Sequence, residues 1–148
     1  MNIKEELLQV CVDHVNKRIN NYKLEMETIK DSIENNDKSS DENDDSGNGK
    51  LLNDLEKNAQ HLNEASKMLE ILKQISPKIQ NEFANLGSIV YTQTNAFFLS
   101  VSVGKIELGD STYFAISLQS PIGMLLRNKK KGDSINFNGT SYSITNVI

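Results

Sequence analysis

The 148-residue chain holds one cysteine, no tryptophan and two prolines. The single Cys11 excludes an internal disulfide and leaves no thiolate pair for a zinc site. No apolar run approaches the ~20 residues of a membrane-spanning helix. Met1–Lys30 is charged throughout, so no secretory leader is visible, and the expectation is a soluble cytoplasmic protein. Hydrophobic residues make up 37% of the chain, thin for one compact globule but adequate for a stalk with a narrow seam plus a modest core. An excess of positive charge is also missing. The formal net charge of −4 argues against bulk binding to nucleic acid by phosphate neutralisation. None of the motifs for nucleophilic catalysis appears, so the chain is expected to have no active site of its own.

What is present is organised around Glu34–Lys50. This stretch holds six acidic residues (Glu34, Asp37, Asp41, Glu42, Asp44, Asp45) against two lysines, which accounts for the whole net charge of −4. It has no apolar residue, and Ser39, Ser40, Ser46, Gly47, Asn48 and Gly49 favour turns. It is expected to be an acidic tip loop between two helices. Taken by composition alone it is a solvated linker.

Before it, Leu8, Val12, Val15, Ile19, Tyr22, Met26, Ile29 and Ile33 recur in alternating steps of four and three. That is a heptad seam with no Pro or Gly inside it. A helix of about 33 residues is roughly 50 Å long. After it the pattern resumes as Leu52, Leu55, Ala59, Leu62, Ser66 and Leu69, then shifts phase to Met68, Leu72, Ile75 and Ile79. Pro77 ends the second helix or lies just beyond it. Two helices of similar length predict a monomeric antiparallel coiled-coil hairpin over residues 1–76, with the tip loop at 34–50. The alternative is a parallel dimer of the first helix. In such a hairpin His61 lies opposite about residue 23, and His14 and His61 lie too far apart to share an ion. Cys11, near the seam, reads as a packed thiol.

Residues 77–86 form a linker. From Gly87 the period changes to two: Phe97, Leu99, Val101 and Val103 alternate with Phe98, Ser100 and Ser102, and Phe114, Ile116 and Leu118 alternate with Tyr113, Ala115 and Ser117. Ser88–Thr92 is an earlier strand, and Leu108-Gly109-Asp110 is a turn. Ser120-Pro121 opens a short helix, with Ser as cap and Pro at the first position. Ile122, Leu125 and Leu126 give that helix an apolar side. Lys129, Lys130 and Lys131 read as its solvated end, or as a face for an acidic partner. Asn138-Gly139 closes a hairpin of Ser134–Phe137 and Thr140–Val147, pairing Phe137 with Thr140 and Ile135 with Tyr142. The class is α+β: a helical hairpin, then a small antiparallel sheet with one helix over 87–148.

Ile116-Ser117-Leu118-Gln119-Ser120-Pro121-Ile122-Gly123, with Leu126, Lys129-Lys130, Gly132-Asp133 and the closing hairpin, resembles the C-terminal domain of the Gre-type transcription elongation factors. The match covers about the last 60 residues, with Asn128 in place of a Gly of the family pattern. The resemblance implies an FKBP-like C-terminal fold without isomerase activity, docked on RNA polymerase at the rim of its secondary channel. It places Ser120, Pro121, Ile122 and Gly123 at the docking surface. It implies a hairpin that enters the channel, where tip carboxylates help the polymerase hydrolyse the RNA 3′ end of a backtracked transcript. Asp41, Glu42, Asp44 and Asp45 would then share the Mg²⁺ ion that the polymerase supplies, since Mg²⁺ needs only one or two added carboxylates.

The tip departs from the cleavage factors, which carry Asp-Leu-Ser-Glu-Asn-Ala-Glu-Tyr there. Only Glu42-Asn43 matches, Ser39 stands three residues before Glu42 in place of Asp, and no Tyr follows. The Asp-rich loop is also similar to relatives that inhibit polymerase. Three readings follow: a cleavage-promoting secondary-channel factor, a non-cleaving regulator or inhibitor of the same architecture, and a coiled-coil adaptor whose acidic loop is only a linker.

Overall fold

The structure, a computed structural model, describes the backbone of residues 2–38 and 45–148 and the side chains of residues 2–36 and 48–148. Two helices come first, α1 (Ile3–Lys38) and α2 (Asp45–Lys73). There follow strands β1 (Ile89–Thr92), β2 (Ala96–Ser100), β3 (Gly104–Leu108) and β4 (Ser111–Ser117), helix α3 (Pro121–Leu126), and strands β5 (Ser134–Phe137) and β6 (Thr140–Val147). The class is α+β, a long helical hairpin and a six-stranded sheet, as the change of period from helical to two implies. The helices run further into 34–50 than its turn-forming composition implied. The chain divides into two compact units, Met1–His14 with Glu70–Ile148, and Val15–Leu69.

In the Val15–Leu69 unit the helices pair antiparallel. Tyr22 stacks on His61 with ring centroids 5.5 Å apart, and Arg18 donates to the Met68 sulfur at 3.8 Å. Asn36 donates to the Asn48 side-chain oxygen at 3.3 Å. Each pair sums to nearly the same residue number, which is the signature of an antiparallel register. On α1 the expected seam holds from Val15 onward: Val15, Ile19 and Ile29 are buried, and Tyr22, Met26 and Ile33 are half-buried.

On α2 the seam differs from the expected one. Leu52 and Ala59 are exposed, and the inward row is Leu51, Leu55, Asn58, Leu62, Ala65, Leu69 and Leu72. This row keeps the four–three alternation without a phase shift. The polar Asn58 had hidden it, because a hydrophobic pattern skips a position that is inward but not apolar. The Asn58 amide donates to the Asp54 carbonyl at 2.9 Å, so its polarity is satisfied within its own helix.

In the other unit the first turns of α1 bury Lys4, Leu7 and Cys11, while Leu8 and Val12 are only half-buried. The inward face moves by one residue from the expected seam because this end of α1 packs in the sheet unit. The Cys11 thiol hydrogen-bonds to the Ser100 side chain on β2. The Asn2 side chain accepts from the Glu5 N–H at 2.8 Å, which caps α1, and donates to the Pro77 carbonyl at 3.3 Å. The Lys4 ammonium donates to the Ile79 carbonyl at 2.7 Å, and burial lowers its pKa. Ile79, expected on the α2 seam, is exposed, since α2 ends at Lys73.

The sheet order is β3-β4-β2-β1-β6-β5. Every pair is antiparallel except β2 and β4, which run parallel with Phe97 beside Phe114 and Leu99 beside Ile116. The expected wholly antiparallel sheet is therefore mixed. The stretch Phe97–Val103 is not one strand: it breaks after Ser100, and β3 resumes on the far side of β4. Every residue of β2 is buried, which is the pattern of a strand covered on both faces. One face carries the main core, in which Val90, Phe97, Leu99, Ile135, Ile144 and Val147 pack with Leu126 of α3 and with Ala84. The β5–β6 hairpin has the expected register, Phe137 with Thr140 and Ile135 with Tyr142. Its turn residues Asn138 and Gly139 both have positive φ, 51° and 79°, as the two-residue turn requires.

Beyond the end of β1 a side chain continues the ladder. The Gln93 amide donates to the Ser141 carbonyl at 2.8 Å and accepts from the Ser143 N–H at 2.7 Å. The β1–β6 register shifts at Tyr91/Thr92, and Gln93 fills the positions that the shifted backbone leaves.

Candidate functional site

The chemistry-bearing residues fall into two groups, the tip carboxylates and the turn that opens α3. Asp41, Glu42 and Asp44 lie outside the described residues, and so does the side chain of Asp45, whose backbone begins α2. By sequence all four are carboxylates, the kind of hard oxygen group that Mg²⁺ accepts. Among the described residues no group of three or more His, Cys, Asp or Glu side chains is placed to hold a metal ion. His61 is committed to Tyr22 and lies 3.8 Å from Glu64.

The second group is fully described. Ser120 precedes α3 in an extended conformation, with φ −67° and ψ 156°. Its hydroxyl donates to the Ser117 carbonyl at 2.6 Å and accepts from the Gly123 N–H at 3.1 Å. One oxygen thus closes the strand end of β4 and caps the helix. Pro121 takes the first helical position, where its missing N–H costs nothing. Gly123 is required by space: a Cβ there would meet the Ser117 carbonyl oxygen at 2.1 Å. Ile122 is half-buried and packs on the main core. The fold therefore accounts for all four motif residues, Ser120, Pro121 and Gly123 through the turn and Ile122 through the core, and Pro121 is the one that is exposed.

The apolar side of α3 differs from the expected one. Ile122 and Leu126 face the core, but Leu125 is 39% exposed and Met124 is 61% exposed. A helix of six residues has room for only one inward stripe, and Leu125 falls outside it. The lysine run lies past the helix rather than in its last turn, since α3 ends at Leu126. Asp133 shapes the loop: its carboxylate accepts from the Lys130 N–H at 3.0 Å, and its own N–H donates to the Lys130 carbonyl at 3.0 Å.

Two cavities flank this unit. One, of about 170 Å³, lies between Ile71 of α2, Gln74 just past its end, and Leu86, Ser100 and Ser117–Gln119. The other, of about 250 Å³, is open and lined by hydroxyl and amide groups of Tyr91–Asn95, Ser111, Thr112 and Tyr113. Burial pushes the Tyr91 phenol up to about 12, with its hydrogen bond to Tyr113 adding to the effect. No helix among the described residues is long and apolar enough to cross a membrane.

No protein-family model matches the chain, and no curated protein matches it. Solved structures similar to it include the transcription factor Gfh1, at 17% identity over 92% of this chain and 90% of that one, with a TM-score of 0.39. The GreA factor homolog 1 (Gfh1) protein of Thermus thermophilus aligns at 15% identity over 93% and 94%, with a TM-score of 0.35. Thermus aquaticus Gfh1 aligns at 17% identity over 94% of each chain, with a TM-score of 0.33. Likeness of this degree defines neither a fold nor a function.

Proposed function

We infer that the chain is a Gre-like transcription elongation factor that binds RNA polymerase at its secondary channel and acts there through its acidic tip. The observation that carries this reading is the Ser117–Gly123 turn. The residues that resemble the Gre-type C-terminal domain are interlocked: the Ser120 hydroxyl bridges Ser117 and Gly123, and Gly123 admits no side chain. The resemblance thus rests on one physical unit and not on scattered identities. The order of elements, a helical hairpin and then the sheet, supports it.

In this reading the chain supplies position and carboxylates, and the polymerase supplies the reacting bond. A divalent ion at the polymerase centre stabilises the attacking and leaving oxygens during phosphodiester hydrolysis. The chain's share is to bring Asp41, Glu42, Asp44 and Asp45 to that centre on a helix of 36 residues, about 54 Å long. There they add oxygen ligands and hold a water for attack. The protein would have no hydrolytic activity alone.

The departure of the tip from the cleavage-factor pattern favours a second reading. A factor of the same architecture would bind in the same channel and inhibit, its acids competing for metal or blocking the path. A transcript-cleavage assay on backtracked elongation complexes separates the two. Shortening of the RNA from its 3′ end by wild type, and not by the Asp41/Glu42/Asp44/Asp45→Ala variant, supports cleavage. Slower elongation without cleavage supports the regulator. If a neutral Gly/Ser loop of equal length preserves every effect, the acids have no part in either.

A further inference from the structure

Strand β3 is one edge of the six-stranded sheet and pairs with β4 alone. Gly109-Asp110 joins the two strands, with Gly109 at φ 58°, so Leu108 and Ser111 form the closing hydrogen-bonded pair. Bonded and non-bonded pairs alternate along an antiparallel ladder. Ile106 with Tyr113 and Gly104 with Ala115 are therefore bonded pairs too, and the backbone N–H and C=O groups of Lys105 and Glu107 point away from β4. Among the described residues no turn, loop or side chain bonds to these outward groups.

Folded proteins often guard such an edge with lysine, whose charge repels a second copy. Here the signs alternate. Lys105 and Glu107 project from one face of β3, exposed by 59% and 68%, with Nζ and Oε1 3.3 Å apart. A two-fold axis through Ile106 sets Lys105 opposite Glu107 of a second copy, and Glu107 opposite its Lys105. In that register the outward backbone groups are also in phase, because each opposed pair consists of outward-bonding residues. A strand whose bonding phase and charge order share one centre is complementary to itself. The other edge, β5, differs. Counted from its Asn138-Gly139 turn in the same way, its outward positions are Ser134 and Asn136, which carry no charge.

We propose that two copies of the chain pair edge to edge through β3, antiparallel about Ile106, with Lys105 and Glu107 of each copy opposite Glu107 and Lys105 of the other. The pairing joins the two sheets and leaves the helical hairpin closed within each chain. It is independent of the polymerase reading, and its test uses no polymerase.

The test is sedimentation velocity of the full chain from about 10 μM to about 1 mM, the range suited to an interface of one short strand. Wild type is expected to move toward a dimer and no further, since a two-fold contact closes on itself. Lys105→Glu alone and Glu107→Lys alone oppose like charges, and each should weaken association by about tenfold or more. The double variant Lys105→Glu/Glu107→Lys restores every attraction and should return to within about threefold of wild type. An equimolar mixture of the two single variants should associate as wild type does, because each then meets its opposite. Far-UV circular dichroism checks that all remain folded. Hydrogen exchange read by NMR locates the contact. The Lys105 and Glu107 amides should exchange about tenfold more slowly as the dimer fills, while the Ile106 amide, already bonded to β4, should not respond. A wild type that stays monomeric to about 1 mM overturns the proposal. So does association that grows past the dimer, that ignores the single variants, that the double variant or the mixture does not restore, or that leaves the Lys105 and Glu107 amides unchanged.

Discussion

Tyr22 of α1 and His61 of α2 stack with ring centroids 5.5 Å apart and planes inclined by 24°. The pair fixes the register of the hairpin at its middle. Arg18 lies 5.8 Å from the Tyr22 ring centroid and also reaches its hydroxyl at 3.2 Å, so the stack has a cation beside it. A double-mutant cycle of Tyr22→Ala and His61→Ala should show a coupling of about 0.5–1.5 kcal/mol by urea denaturation. Additive losses would contradict the register.

Asn58 is the polar member of an otherwise apolar row on α2, and its amide is satisfied by its own helix. Asn58→Leu should stabilise the hairpin by about 1 kcal/mol, because a polar seam residue is held at a cost in stability. Thermal denaturation reads the gain. A fall in melting temperature would place residue 58 off the seam.

The turn before α3 should be sensitive in a graded way. Gly123→Ala drives a methyl group into the Ser117 carbonyl and should cost about 3 kcal/mol. Ser120→Ala removes a cap and should cost about 1 kcal/mol. Chemical denaturation gives both values, and equal losses would contradict the geometry.

The Cys11 thiol is raised from its ordinary 9.0 to about 11 by burial, against a weaker downward pull from its hydrogen bond to Ser100. A raised folded-state value means that the folded protein favours the neutral thiol. The associated stability is present below pH 9 and is lost as pH rises toward about 11. Relative to Cys11→Ala, wild type should lose at most about 1.4 kcal/mol per pH unit across that window. Below it the difference between the two should be constant. A difference that stays flat up to pH 11 would show that the thiol titrates normally.

Much of this fold was legible because its signals are local. The four–three steps from Val15 to Ile33, the Ser120-Pro121 cap and the Asn138-Gly139 turn each act within a few residues. What escaped depends on distant partners. Leu7 and Cys11 replace Leu8 and Val12 on the inward face because α1 meets the sheet unit there, which no helical period reveals. Asn58 concealed the α2 seam because it is inward without being apolar. The parallel pairing of β2 with β4 was hidden because β3 lies on the far side of β4, a choice made by tertiary packing. At the candidate site, Ser120 and Gly123 could be singled out from the motif. The exposure of Leu125 could not, since it depends on which side of a six-residue helix meets the core.

The claim that the acidic tip reaches the polymerase centre is tested most directly by cross-linking from the tip. Asn43→Cys in a Cys11→Ala background gives one attachment point for a short photo-cross-linker beside Glu42 and Asp44. The account predicts cross-links from residue 43 to the RNA 3′ end, or to polymerase segments that surround its catalytic ion. A protein that binds polymerase but cross-links only to its outer surface would contradict the account.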